Sequence, residues 1–296
     1  MGCLSHRSTL AMRTLSPDTA PEIERRQMAI LRALPVWRKF ELMAAMNRAL
    51  ETLALHGLGA SGPRPNQQEV RYRLTGLRLG PDLAQRLREA RESRGCADEQ
   101  GVAMPADPID VILAVTAALD RIGVAYYIGG SFASGAYGVY RATADVDMVA
   151  DLHEDQVEAL VHEVGTEFYA DAEMMRDTIH HRSSFNLLHL TTGFKVDIFV
   201  PRRRAFDRAQ LERRALYPLR DDPASAAYIA SAEDSVLAKL EWYRLDNEVS
   251  ERQWTDVLGM LKVQGQMLDT SYLRHWAGEL GLDDLLERAL MEAGLS

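Results

Sequence analysis

The chain has 296 residues and a mass of 33.1 kDa, room for about two domains, each with its own core. A hydrophobic fraction of 47% with 26% charged residues is that of a folded globular chain and excludes extensive disorder. No apolar run approaches the ~20 residues of a membrane-crossing helix, and two cysteines, Cys3 and Cys96, cannot form a disulfide framework, so a cytoplasmic location without a membrane partner is expected.

The net charge of −9 is unevenly spread: residues 1–95 carry 16 Lys+Arg against 9 Asp+Glu, and residues 96–296 carry 18 against 34. Such a basic head on an acidic body marks separate domains. Most of the head's arginines fall on the polar sides of amphipathic helices, where a solvated charge needs no ligand. No interleaving of aromatic and basic residues points to nucleic acid there.

Residues 1–20 read as a flexible leader. Met1-Gly2-Cys3 lacks the Ser or Thr that a myristoylation pattern wants where His6 stands, and no apolar stretch of a secretory signal follows. Residues 21–94 are expected to form a basic bundle of four short helices. The first has Ile23, Gln27, Ile30, Leu31 and Leu34 as its stripe and stops at Pro35; the second has Trp37, Phe40, Met43, Leu50, Leu53 and Ala54 and ends at Gly57. The turn 61–66 precedes helices over Glu69–Leu79 and Pro81–Arg94, split at Gly80. Residues 95–106 have no periodicity and read as a linker. Removal of the head is expected to leave a folded domain.

Asp107-Pro108 starts a helix, a capping residue before a proline at the first helical position, with Ile109, Ile112, Leu113, Thr116 and Leu119 at helical spacing. Then come a strand over Ala125–Ile128, a turn at Gly129-Gly130-Ser131, a short helix to Gly138, and a strand carrying Asp145 and Asp147. On a strand, alternate side chains share a face, so Asp145 and Asp147 point together while Val146 and Met148 enter the core. Two carboxylates forced onto one face repel unless a cation lies between them, and carboxylate oxygens favour hard divalent ions, Mg²⁺ above all, with Mn²⁺ as a substitute. The glycine pair lets backbone approach a phosphate, and the following helix start offers free N–H groups. A third acid, Asp197, lies in the second strand of a hairpin, Ser184–Leu190 and Phe194–Val200, among Val196, Ile198 and Val200. Burying it is costly unless it is paired or binds metal.

This ordered set of Gly-Gly-Ser, Asp-Val-Asp and a later strand-borne Asp resembles the nucleotidyltransferase (polymerase-beta-like) superfamily. The run Arg141-x-Thr143-x-Asp145-x-Asp147 is most similar to the bacterial branch containing the toxin-type nucleotidyltransferases of abortive-infection systems. The resemblance covers about residues 107–262. It implies an α+β fold with a mixed β-sheet flanked by helices, beside the N-terminal helical bundle and a C-terminal helical segment over 263–296.

The resemblance also implies Mg²⁺-dependent transfer of NMP from an NTP, with Asp145, Asp147 and Asp197 as catalytic metal ligands. Gly129, Gly130, Ser131, Arg141, Thr143 and Lys239 would bind the nucleotide. Lys239, in Ala232-Glu-Asp-Ser-Val-Leu-Ala-Lys239, fits the branch's third motif, and Arg252 with Asp256 is similar to the fourth, although their i, i+4 spacing also suits a plain helical ion pair. Arg141 could steady a phosphate or pair with an aspartate. The acceptor would be RNA, a protein or a small hydroxyl compound, and a toxin of this branch would have an antitoxin partner.

Residues 201–214 are locally +4 and follow the Asp197 strand, either as a basic lip or as a solvated helix face. Trp242, Tyr243 and Trp254 sit at helical core spacing, as do Leu268, Tyr272, Leu273, Trp276 and Leu280 near the C-terminus. His180-His181 lacks partners at zinc spacing. The alternatives are a catalytically inactive nucleotide- or partner-binding module of the same fold, and a metal-dependent glycosyltransferase, against which the Gly-Gly-Ser turn and the third aspartate argue.

Overall fold

The computed structural model describes residues 13–60, 67–93 and 107–295. Most of the expected leader, the 61–66 turn, the linker, Cys3 and Cys96 lie outside them. The described chain forms two compact units, each assembled from separated segments. Of the described residues, one unit contains 36–60, 67–93, 107–133 and 140–230; the other contains 13–35, 134–139 and 231–295.

The first unit is built on a mixed seven-stranded sheet. Its strands are β1 (Tyr126–Ile128), β2 (Asp145–Ala150), β3 (Phe168–Tyr169), β4 (Ser184–His189), β5 (Lys195–Phe199), β6 (Ala215–Arg220) and β7 (Asp222–Ile229), in the order β3-β4-β5-β2-β1-β7-β6. β2 runs parallel to β5 and antiparallel to β1, and β4–β5 is the expected hairpin. The protein is thus α+β with a mixed sheet flanked by helices. Along β2 burial alternates strictly, with Val146, Met148 and Ala150 inside and Asp145 and Asp147 half-buried on the opposite face, as the period of two dictates.

Helix α5 (Pro108–Arg121) supplies Ile109, Ile112, Val115, Ala118 and Leu119, all buried, to this unit's core. The Asp107 side chain accepts the Ile109 amide hydrogen at 3.0 Å, the expected cap. α6 (Gly130–Tyr137) follows β1, while α7 (Val157–Val164), α8 (Ala172–His181) and α9 (Ala205–Arg213) complete the connections. His180 and His181 close α8 at the surface.

The expected helical domain over 21–94 is divided between the units. α1 (Pro21–Ala33) belongs to the unit without the sheet; α2 (Val36–Ala60), α3 (Gln67–Leu79) and α4 (Pro81–Ser93) belong to the sheet unit. The apolar surfaces explain the division. Phe40 and Met43 of α2 are fully buried. Leu87 and Ala90 of α4 form a buried cluster with Leu188 and Leu190 of the β4–β5 hairpin, and Arg91 bonds the Leu190 and Thr191 carbonyls.

Several expected core positions are surface positions. Ile23 and Ile30 of α1 and Leu50 and Leu53 of α2 are exposed, and α1 instead buries Glu24 and Met28. Glu24 does so by pairing at 2.7 Å with Lys262, equally buried; the pairing offsets part of the desolvation cost that either charge would carry alone. α2 also runs past Gly57 to Ala60.

The second unit adds α10 (Ala232–Leu245), α11 (Glu251–Gln264), α12 (Thr270–Leu280) and α13 (Asp283–Ala293). Trp254 and Tyr243 are buried as expected, Trp254 donating to Glu292 at 2.9 Å, whereas Trp242 is exposed. Leu268 and Leu273 are in the core, with Tyr272, Trp276 and Leu280 at its margin.

Candidate active site

The site begins where β1 runs out. The Gly129 amide donates to the Asp147 carbonyl at 2.8 Å, and the Gly129 carbonyl accepts from Ala133, closing the first turn of α6. Gly130 takes φ +54°, and a Cβ there would lie 1.8 Å from Asp147 Oδ2. A side chain is thus excluded twice, by the left-handed backbone and by the carboxylate against it.

Register does the rest. In the parallel β2–β5 pair Asp147 stands opposite Asp197 and Asp145 opposite Lys195, and in the β4–β5 pair Asn186 stands opposite Asp197. Residues opposite one another share a face, so three carboxylates, one ammonium and one amide form a single polar wall. Asp145 and Asp147, close in sequence, and Asp197, far along the chain, are therefore brought together. Lys195 Nζ lies 2.6 Å from Asp197 Oδ2 and 3.5 Å from Asp145 Oδ2, standing between them. Asn186 Nδ2 donates to the other Asp197 oxygen.

Burial pushes the Asp197 carboxyl above its ordinary range, and the neighbouring Asp145 charge adds to this against the pull of Lys195 and Asn186. Burial acts to lower Lys195, but its hydrogen bond to Asp197 and the charges of Asp197 and Asp145 prevail and hold it above its usual value. The two shifts differ in cause: burial dominates at Asp197, whereas the neighbouring carboxylates dominate at Lys195.

Thr143 fixes Asp145 from the other side, its buried hydroxyl lying 3.1 Å from Asp145 Oδ1 and 3.2 Å from the Asp145 carbonyl. Arg141 donates to Ser131 Oγ and to the Ala142 carbonyl, joining the glycine turn to the segment that enters β2. Gly129, Gly130, Ser131, Arg141, Thr143, Asp145, Asp147 and Asp197 thus belong to one unit and one locality. Lys239 belongs to the other unit. It is buried there, 2.9 Å from Asp256 and 2.8 Å from the side-chain amide oxygen of Gln253; Asp256 pairs with Lys239, which joins the third and fourth sequence motifs in one buried ion pair. In the basic stretch 201–214, Arg204 pairs with Asp207 at 2.8 Å and Arg214 lies over the Tyr228 ring.

Sequence reasoning misses Lys195 and Asn186. Period two from Asp197 finds Lys195 on the same strand, whereas Asn186 is found only through the hairpin register.

Oxygen donors on one wall, with an ammonium already between two of them, suit a hard divalent cation. Among the described residues no three His, Cys, Asp or Glu side chains are drawn together as tightly as a formed metal site requires, and the Lys195 ammonium occupies the ground between Asp145 and Asp197. Asp145 and Asp147 are the residues that could hold such an ion, while both Asp145 and Asp197 are engaged by Lys195.

No protein-family model and no curated protein matches the chain. Among solved structures, the chain is similar to a protein described as an antigenic nucleotidyltransferase-like protein from Paracoccidioides brasiliensis. The two share 17% sequence identity and a TM-score of 0.40, over 64% of this chain and 94% of that one.

Proposed function

We propose that the protein is a nucleotidyltransferase that moves an NMP from an NTP to an acceptor hydroxyl. The observation that carries this reading is the strand register that puts Asp145, Asp147 and Asp197 on one wall beside a glycine turn closed to side chains. In the reaction an acceptor oxygen attacks the α-phosphorus, the bond to the bridging oxygen breaks, and pyrophosphate leaves. Positioning and charge neutralisation carry most of such a transfer.

The amides at the start of α6, from Gly130 onward, would face the β- and γ-phosphates, where the helix N-terminus favours negative charge. Arg141 would hold the Ser131 hydroxyl in place for the same phosphates. Asp145, kept in one rotamer by Thr143, and Asp147, pressed against Gly130, would hold Mg²⁺. When bound, such an ion supplies charge neutralisation of the triphosphate and a lower pKa for the acceptor hydroxyl. Asp197, whose proton affinity burial raises, would accept the hydroxyl proton.

The acceptor class (RNA, protein or a small hydroxyl compound), a toxin role and an antitoxin partner belong to this proposal through the sequence resemblance. Incubating the protein with each α-labelled NTP, Mg²⁺ and total cell RNA or lysate tests it. Label transfer is expected, reduced about 10²–10³-fold or more in Asp145→Asn and Asp147→Asn; equal labelling by these variants would overturn the reading. The Lys195 bridge favours one second reading, a module that binds nucleotide without transfer, for which Mg²⁺-dependent NTP binding with no labelled product is the signature.

A further inference from the structure

We infer that helix α2, outside the stretch that resembles a nucleotidyltransferase, is part of the site's scaffold, with Asn47 as a positioning residue for Asp145. This rests on the proposed function.

Phe40, Met43, Ala44 and Asn47 stand at i, i+3, i+4 and i+7, one face of a helix. The first three are buried and apolar. Phe40 stacks on Phe132, the residue after Ser131, with ring centroids 4.5 Å apart and planes 11° from parallel. The stripe ends in one polar residue, whose side chain reaches the segment leading into β2, where Asn47 Oδ1 accepts the Thr143 amide hydrogen at 2.9 Å. Thr143 lies in the irregular segment before β2, so its amide has no strand ladder to join. Buried amides demand a partner, and α2 provides it. From Thr143 the chain of contacts reaches the site, since the Thr143 hydroxyl is 3.1 Å from Asp145 Oδ1. Arg48 anchors the same helix to Asp107 at 3.0 Å. α2 therefore braces the glycine turn through Phe132 and the first carboxylate through Thr143.

Groups that orient a metal-binding side chain without touching the ion typically change affinity about 10–100-fold when removed. The test is Mn²⁺ titration of the full chain, followed by electron paramagnetic resonance, with urea denaturation in parallel. Asn47→Ala is expected to weaken Mn²⁺ binding by about 10–100-fold. Asn47→Asp, which keeps the acceptor oxygen, is expected to bind within a few-fold of the parent. Parental affinity in Asn47→Ala would overturn the inference and leave the proposed function standing. Equal weakening in both variants would also overturn it, since a purely structural loss is not rescued by the oxygen. No Mn²⁺ binding by the parent itself would overturn the proposed function and the inference together. Should Asn47→Ala fail to fold, Thr143→Val decides: it removes the hydroxyl, is expected to weaken binding as much, and overturns the inference if its affinity is parental.

Discussion

Gly130→Ala is the sharpest perturbation of the site, and the neighbouring Gly129→Ala is its control. At position 130 the new carbon would lie 1.8 Å from Asp147 Oδ2, 2.6 Å from Cγ and 2.8 Å from Cβ. Rotating the carboxylate relieves the first contact and not the last, because Asp147 Cβ is fixed by β2. The turn or the strand must move. An alanine at φ +54° costs about 1–2 kcal/mol, and overpacking against a fixed strand adds about 1–3 kcal/mol, giving a loss on the order of 2–5 kcal/mol in urea denaturation. At Gly129 the nearest atom to a new Cβ is Tyr127 Cε2 at 3.7 Å, an ordinary contact, and the change is expected to stay within about 1 kcal/mol. Displacing Asp147 by ~1 Å is expected to lower transfer about 10²-fold. If Gly130→Ala matched Gly129→Ala in stability and in Mn²⁺ affinity, the close approach of turn and carboxylate would be refuted.

Lys195→Met removes the ammonium that competes for the oxygens of Asp145 and Asp197, so Mn²⁺ affinity measured by calorimetry is expected to rise about tenfold, the screened remainder of a close like-charge repulsion; unchanged affinity would mean that Lys195 does not guard those oxygens. Lys39 of α2 is held down to about 8 by burial. The unfolded chain then binds the extra proton between about pH 8 and the ordinary lysine value, so stability rises with pH across that window. Lys39→Met should flatten the rise, read from urea midpoints at pH 7 and 9.5. The sequence alone leads to a folded remainder after deletion of residues 1–95, but the deletion strips Phe40 from Phe132 and Leu87 from Leu188, so the remainder is instead expected to bind hydrophobic dye and to lose its cooperative melt; a cooperative, monomeric product would show that the sheet needs no cover from α2–α4.

Whatever depends on neighbours along the chain is legible in the order of the amino acids. The glycine turn, the Asp-x-Asp strand, the hairpin carrying Asp197 and the Asp107 cap are all of this kind, because backbone sterics and side-chain periods of 2 and 3.6 act over a few residues. Which strand lies beside which is settled only when the chain has folded. That pairing brings Asp197 opposite Asp147 and sets Lys195 between two carboxylates, and no local spacing encodes it. Folding also assigns the helices to their partners. A stripe on an amphipathic helix says that something is buried without saying against what, so the head reads as one bundle, while α1 and α2–α4 in fact serve different units. Glu24, Lys39 and Lys262 are buried charges that only the packing of the helices places. Asn47 shows the limit most plainly: its spacing puts it at the end of an apolar stripe, but only folding brings it Thr143, 96 positions later, as the backbone amide it accepts from.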